Sequence, residues 1–238
     1  MGTSAARRAP ANRLWRLAKA AATRYLSAGD GGAVDAREVA ARYVAALGEG
    51  GATGPAEVLA AFRQTRRVAQ NLGAFCCQAG PRGWRAALKD RGLKDLAEVE
   101  PEVLTPSLGA VLETPGGGLE QAVAHTALMV VLQNLPMNPE PEEGSTQLVR
   151  RFLVEAFQLR LALDLGESLE AAASGITSLR QGLTGLAALI DQAAIHPNVR
   201  SAPQTQGEWL GLPGWTWVSR LLTGLILNLT GQVLSKNS

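Results

Sequence analysis

From Thr146 to Ala194 the chain runs for 49 residues with nearly unbroken helical character. Few folds accommodate such a segment except as long packed helices. Gly166 is the expected point of a kink or division, because glycine costs about 1 kcal/mol in a helix interior. Ser174, Ser178, Gly182 and Gly185 fall three or four apart along one side. Small residues at that spacing either let two helices approach closely or merely weaken the helix.

The rest of the chain repeats the pattern. Apolar residues recur at helical spacing, and strands lack their usual alternation of β-branched residues. The expected class is all-α: a multi-helix bundle with a flexible N-terminal tail (1–11) and a C-terminal apolar amphipathic helix. The organisation expected behind the tail is an N-terminal helical region over 12–135 and a C-terminal one over 146–238, together one composite helical domain. Residues 136–145, PMNPEPEEGS, form the acidic, proline-rich boundary loop between them.

Individual helices are expected over 12–27 and 35–47. A third starts at Pro55, which suits a first helical turn, with Leu59, Phe62, Leu72 and Cys76 inward and Arg63, Arg66 and Arg67 outward. A short helix over 84–90 precedes segments interrupted at Pro101 and Pro106. The next helix, 119–135, carries an inner stripe of Leu119, Val123, Ala127, Leu128, Val131 and Leu135. Residues 197–212 read as a loop. The final helix, 213–234, approaches the roughly 20 apolar residues of a membrane span. Ser219, Arg220, Thr223, Asn228, Thr230 and Gln232 interrupt it, so docking on the bundle or on a partner is expected and membrane insertion is not.

With 46% hydrophobic and 18% charged residues, the chain can bury a core. Charge is unevenly spread. Residues 1–91 hold 15 Lys and Arg against 6 Asp and Glu, a net of +9, and residues 92–238 hold 8 against 15, a net of −7. A basic front half suits nucleic acid or an acidic partner, or a pair of halves that pack on each other. No recognised nucleic-acid-binding motif accompanies the charge, so nucleic acid stands only as an alternative partner.

Motifs of catalysis are missing from the sequence. It has no GxxxxGK[ST] phosphate cradle, no GxSxG elbow and no HExxH zinc helix. Cys76 and Cys77 are adjacent, which suits neither a disulfide framework nor a zinc site. Small apolar side chains in a reduced, cytoplasmic setting are the expectation. His125, in AVAHTAL, reads as a hydrogen-bonded core or edge residue, and His196, beside Pro197, as a helix-end residue. No catalytic residue, metal ligand or cofactor is expected, and the chain reads as a non-enzymatic binding partner or substrate.

The start, Met1-Gly2-Thr3-Ser4, offers one reactive group. Removal of Met1 exposes the α-amine of Gly2. With a pKa of about 8, a useful fraction is neutral and nucleophilic at cellular pH. Ala6 occupies the usual Ser/Thr position of a myristoylation signal, which argues against that modification.

These residues, taken with later ones, carry a family resemblance. MGTS leads through a tail to an arginine-rich first helix. Arg42-Tyr43-Val44 and Gly50-Gly51 then precede an arginine-rich helix ending near Gly73. GWRAALKDRGLKDL (83–96) and FQLRLALDLGESLE (157–170), an aromatic-then-LDxG helix, follow. Over residues 1–195 this pattern resembles the B components of the Qat (QatABCD) antiphage defence systems, QatB. Typical members carry a longer Gly/Pro-rich tail. The resemblance implies a defence operon whose other members look like an ATPase (QatA-like), a QueC-like enzyme (QatC-like) and a TatD-like nuclease (QatD-like). It further implies that the QueC-like partner attaches a 7-deazaguanine to the N-terminus. Carried onto this chain, the modified residue is Gly2, with Thr3 and Ser4 recognised by the partner. Two alternatives stand beside it: a membrane-active helical effector using residues 213–234, and a nucleic-acid-binding module built on residues 1–91.

Overall fold

The computed structural model describes residues 12–27, 34–48, 55–80, 83–95, 101–113, 116–133, 144–194 and 201–234. Among these residues there are eleven α-helices and no strand, so the protein is an all-α multi-helix bundle. The helices are α1 (Arg13–Ser27), α2 (Ala36–Leu47), α3 (Pro55–Ala60), α4 (Arg63–Ala79), α5 (Gly83–Asp90), α6 (Pro101–Leu112), α7 (Leu119–Gln133), α8 (Ser145–Ala172), α9 (Ile176–Ala194), α10 (Gln206–Leu210) and α11 (Leu212–Leu234). The chain divides into two units, each discontinuous in sequence. The first comprises Met1–Val58, Leu161–Ala193 and Ile226–Ser238, and the second Leu59–Arg160 and Ala194–Leu225. The predicted tail, residues 1–11, lies outside the described residues, as does most of the loop expected over 136–145.

In the first unit, side-chain caps fix where helices begin. Trp15 N donates to Asn12 Oδ1 at 3.0 Å, and Glu38 N donates to Asp35 Oδ1 at 2.8 Å. Each cap satisfies one of the amides that a helix start leaves without an internal partner. α1 then packs along α2. Its buried positions are Trp15, Ala18, Ala21 and Ala22, and those of α2 include Val39, Ala40, Tyr43, Val44 and Leu47. The alanines keep the helices close, and the aromatics fill the space between them. Leu161, Leu165 and Leu169 of α8, Leu186 and Ile190 of α9, and Ile226 and Leu229 of α11 complete this core.

The small-residue stripe of α9 serves as a contact at two of its four positions. A Cβ on Gly182 would lie 2.2 Å from Leu26 Cδ2, and one on Gly185 would lie 2.5 Å from the Tyr25 hydroxyl oxygen. Tyr25 also donates from its hydroxyl to the Gly182 carbonyl at 3.2 Å. Ser174, by contrast, is exposed in the break before α9. That break corrects the expected division at Gly166, which sits inside α8. α8 ends where Ala173 N reaches the Leu169 carbonyl, and α9 opens where Leu179 N reaches the Gly175 carbonyl. Ser174-Gly175 combines a side chain that competes for backbone hydrogen bonds with the residue losing most entropy in a helix. A lone glycine at 166 has no such accomplice.

In the second unit, α4 is central and packs against α5, α6, α7 and α10. Val68, Ala69, Leu72, Gly73, Ala74 and Phe75 are buried, so apolar groups surround most of its circumference. Phe62 stacks on Phe157 with ring centroids 5.6 Å apart. Trp209 is fully buried, meets Trp217 edge-on at 5.1 Å, and lies where a Cβ on Gly73 would need to be, 2.4 Å from its ring. Large aromatics dominate such cores because each buries 150–250 Å², by rough reckoning.

Three further expectations are corrected in this unit. The helix expected from Pro55 breaks at Ala61-Phe62 into α3 and α4. Pro106 does not interrupt α6, which runs through it to Leu112 without the bond that its missing N–H would have made one turn back. The expected 197–212 loop contains α10, whose Thr205 and Glu208 form a reciprocal capping box. The signal was there in Thr205-Gln-Gly-Glu208 before Trp209 and Leu210. The final helix carries buried Trp217, Val218, Leu221, Leu222 and Leu225 on its inner side, as an amphipathic docked helix should. Among the described residues, no helix is long and apolar enough to cross a membrane.

Candidate functional site

Gly2, Thr3 and Ser4, the residues expected to carry modification and recognition, lie outside the described residues. What the structure does place are two of the motifs that accompany them. Arg42-Tyr43-Val44 sits in the last turns of α2, and Leu163-Asp164-Leu165-Gly166 in α8. They meet. The Tyr43 hydroxyl donates to Asp164 Oδ2 at 2.9 Å, and Tyr43 is fully buried. Trp15 of α1 meets the same ring edge-on, with centroids 5.9 Å apart and planes at 74°. Arg42 Nε donates to Glu38 Oε1 at 2.7 Å, and Arg24 approaches the same oxygen at 3.8 Å. The first helix is thereby fixed by a cap, a buried aromatic contact and a shared carboxylate.

A second polar cluster stands at the start of α4. Phe62, at the N-cap position, has no side chain to offer the first amides. Glu120 of α7 supplies the acceptor instead. Its Oε1 accepts from Thr65 N at 3.1 Å and, in a very short contact, from Gln64 N. Burial pushes the Glu120 carboxyl above the ordinary glutamate range, opposed by these two amides and by Arg160 and Arg66. Arg66, expected on the outward face, is buried. Its guanidinium carbon lies 4.0 Å from the centroid of the Trp215 ring, and Nη1 donates to Ser219 Oγ at 2.9 Å. Burial lowers its pKa from the ordinary arginine value, with Glu120 opposing and Arg63 adding to the fall. An arginine can be held so because its planar head stacks on the indole while its apolar stem is covered. One turn on, Gln70 Nε2 donates to the carbonyls of Trp209 at 2.9 Å and Gly211 at 3.0 Å. Sequence periodicity could not assign inward roles to Arg66 and Gln70, because their partners lie about 140 positions away or more.

The remaining candidate groups are dispersed. His125 is exposed at the edge of α7, with Nδ1 against Glu113 Oε1. That is an edge residue with a hydrogen bond, as its setting in the sequence suggests. His196 lies outside the described residues. Cys76 and Cys77 are free. Burial, with a smaller contribution from Cys77, pushes the Cys76 thiol up to about 12. Part of the residue reaches the surface, but the thiol is its enclosed end. The Cys77 thiol donates to the Gln204 carbonyl at 3.1 Å, and burial raises its pKa too. Both therefore stay protonated near neutral pH and are poor nucleophiles. Among the described residues, no group of three or more His, Cys, Asp or Glu is placed to hold a metal ion. Comparison with known protein families, with curated proteins and with solved structures finds no match for this chain.

Proposed function

We propose that this protein is a non-enzymatic component of a QatB-like antiphage defence system, presented as a substrate to a QueC-like enzyme that attaches a 7-deazaguanine to the amine of Gly2. The observation that carries the reading is the Tyr43–Asp164 hydrogen bond. Two sequence motifs on which the resemblance rests are far apart in the chain, yet they share a part-buried hydrogen bond, and its tyrosine packs on Trp15 of the first helix. Glu120, Arg66 and Cys77 are engaged in a cap, a stacking contact and a backbone contact, which suits structural roles for them in a scaffold that partners recognise. On this reading Thr3 and Ser4 are read by the partner enzyme, and ATPase and TatD-like nuclease components act with the modified chain. The setting would be cytoplasmic.

A phage-protection assay with the complete set of partner genes tests it. Replacing Gly2 with tyrosine retains Met1 and blocks the amine, so protection is lost while protein level and far-UV circular dichroism stay unchanged. Full protection by Gly2→Tyr would overturn the proposal.

A further inference from the structure

The solvent face of α1 is cationic without relief. Arg13 and Arg16 are exposed, Lys19 is half-exposed, and the helix contains no acidic residue. Arg13 and Arg16 stand in the first turn, where the helix macrodipole already presents positive charge and cations are disfavoured. Asn12 caps the helix, so these arginines do not serve its start. The neighbouring cations are differently placed: Arg24 and Arg42 share Glu38. Among the described residues, neither Arg13, Arg16 nor Lys19 has an anionic partner. Two of these three like charges stand against the local helix field, and none is compensated among the described residues, which points to a partner outside the chain.

The rest of this face decides which partner. The exposed positions that follow are Ala20, Thr23, Arg24 and Ser27, and Trp15 is turned inward and buried. A protein interface draws its strength from buried aromatic and apolar anchors, and this face offers none at its exposed positions. Phosphate binding needs none, since neutralised charge and released counterions supply the affinity. Two of the three cations are arginine, whose planar fork matches a phosphate. From residue 13 to residue 19 the helix rises about 9 Å at ~1.5 Å per residue. That is the rise of two to three base pairs at about 3.4 Å each.

We infer that the Arg13–Arg16–Lys19 face of α1 binds the phosphate backbone of nucleic acid without reading its sequence. The test is fluorescence anisotropy of a labelled DNA duplex with the full chain across a salt series. Binding is expected to weaken with salt at a log–log slope of roughly −2 to −3, about −0.9 for each phosphate contacted. Arg13→Gln/Arg16→Gln/Lys19→Gln keeps good helix formers. It should lower affinity at low salt at least tenfold and flatten the slope by about 2 to 3. Arg13→Lys/Arg16→Lys should keep the slope, and Arg180→Gln, at an exposed position of α9, should change nothing. Absence of duplex binding by the native chain at low salt would overturn the inference. So would unaltered binding by the triple Gln variant, or a variant defect confined to anionic vesicles.

Discussion

Tyr43 and Asp164 stand 121 positions apart in the chain and 2.9 Å apart at their hydrogen-bonding oxygens. The pair joins the end of α2 to the middle of α8 inside the first unit. Removing only the hydroxyl isolates its contribution. Tyr43→Phe keeps the ring and its contact with Trp15 but leaves the half-buried carboxylate short of a donor. A loss of about 1–3 kcal/mol in urea unfolding is expected. Tyr43→Ala also empties a core site and should cost about 3–5 kcal/mol. Equal stability of Tyr43→Phe and the native chain would show the bond to be incidental.

The close approach of α1 and α9 makes a second prediction. Gly185→Ala places a methyl within 2.5 Å of the Tyr25 hydroxyl oxygen, and Gly182→Ala places one 2.2 Å from Leu26 Cδ2. Both add a good helix former, so on an open helix surface each would stabilise by up to about 1 kcal/mol. Here the tips of Leu26 and Tyr25 must swing aside, so the clash offsets part or all of that gain. Gly166→Ala is the control, because a Cβ there meets nothing within 4 Å. Thermal melts should rank Gly166→Ala, neutral or stabilised, above the other two.

Glu120 gives the pH prediction. Its pKa is raised in the folded protein, chiefly by burial, so the native state holds this proton more tightly than the unfolded chain. The contribution therefore favours folding as pH falls through the raised value towards the ordinary glutamate pKa, and is lost as pH rises through it. Glu120→Gln keeps an oxygen for the Gln64 and Thr65 amides and removes the buried charge. It should flatten the dependence of stability on pH just above the ordinary glutamate range without weakening the fold at neutral pH. Glu120→Ala leaves both amides uncapped and should cost about 1–2 kcal/mol. Denaturant melts at stepped pH distinguish the three chains.

Much of the fold was legible because helix formation is governed locally. Apolar spacing located α1, α2 and α7, and Pro55 and Pro213 marked helix starts that the structure places within one residue. Arg66 was misjudged for the opposite reason. Its charge argued for solvent, and only Trp215 and Ser219, brought alongside by the fold, make burial tolerable. Glu120 was hidden similarly: a glutamate in the first turn of α7 looks like an ordinary dipole match, while its carboxylate caps a different helix. The α8–α9 break turned on two adjacent residues, Ser174 and Gly175, where a single glycine had drawn attention. A division into units that each draw on separate stretches of chain cannot be seen in linear composition. The candidate site was legible only in pieces. Arg42-Tyr43-Val44 and the LDxG stretch could be noted as motifs, but their contact is a property of the folded chain.

The central claim is that this chain is a substrate whose reacting atom is the nitrogen of Gly2, and intact-mass spectrometry after co-expression with the QueC-like enzyme tests it most directly. The account predicts loss of Met1 and gain of one 7-deazaguanine adduct, mapped by fragmentation to Gly2 and absent from Gly2→Tyr. A mass explained by Met1 loss alone, beside a partner shown to be active, would contradict it.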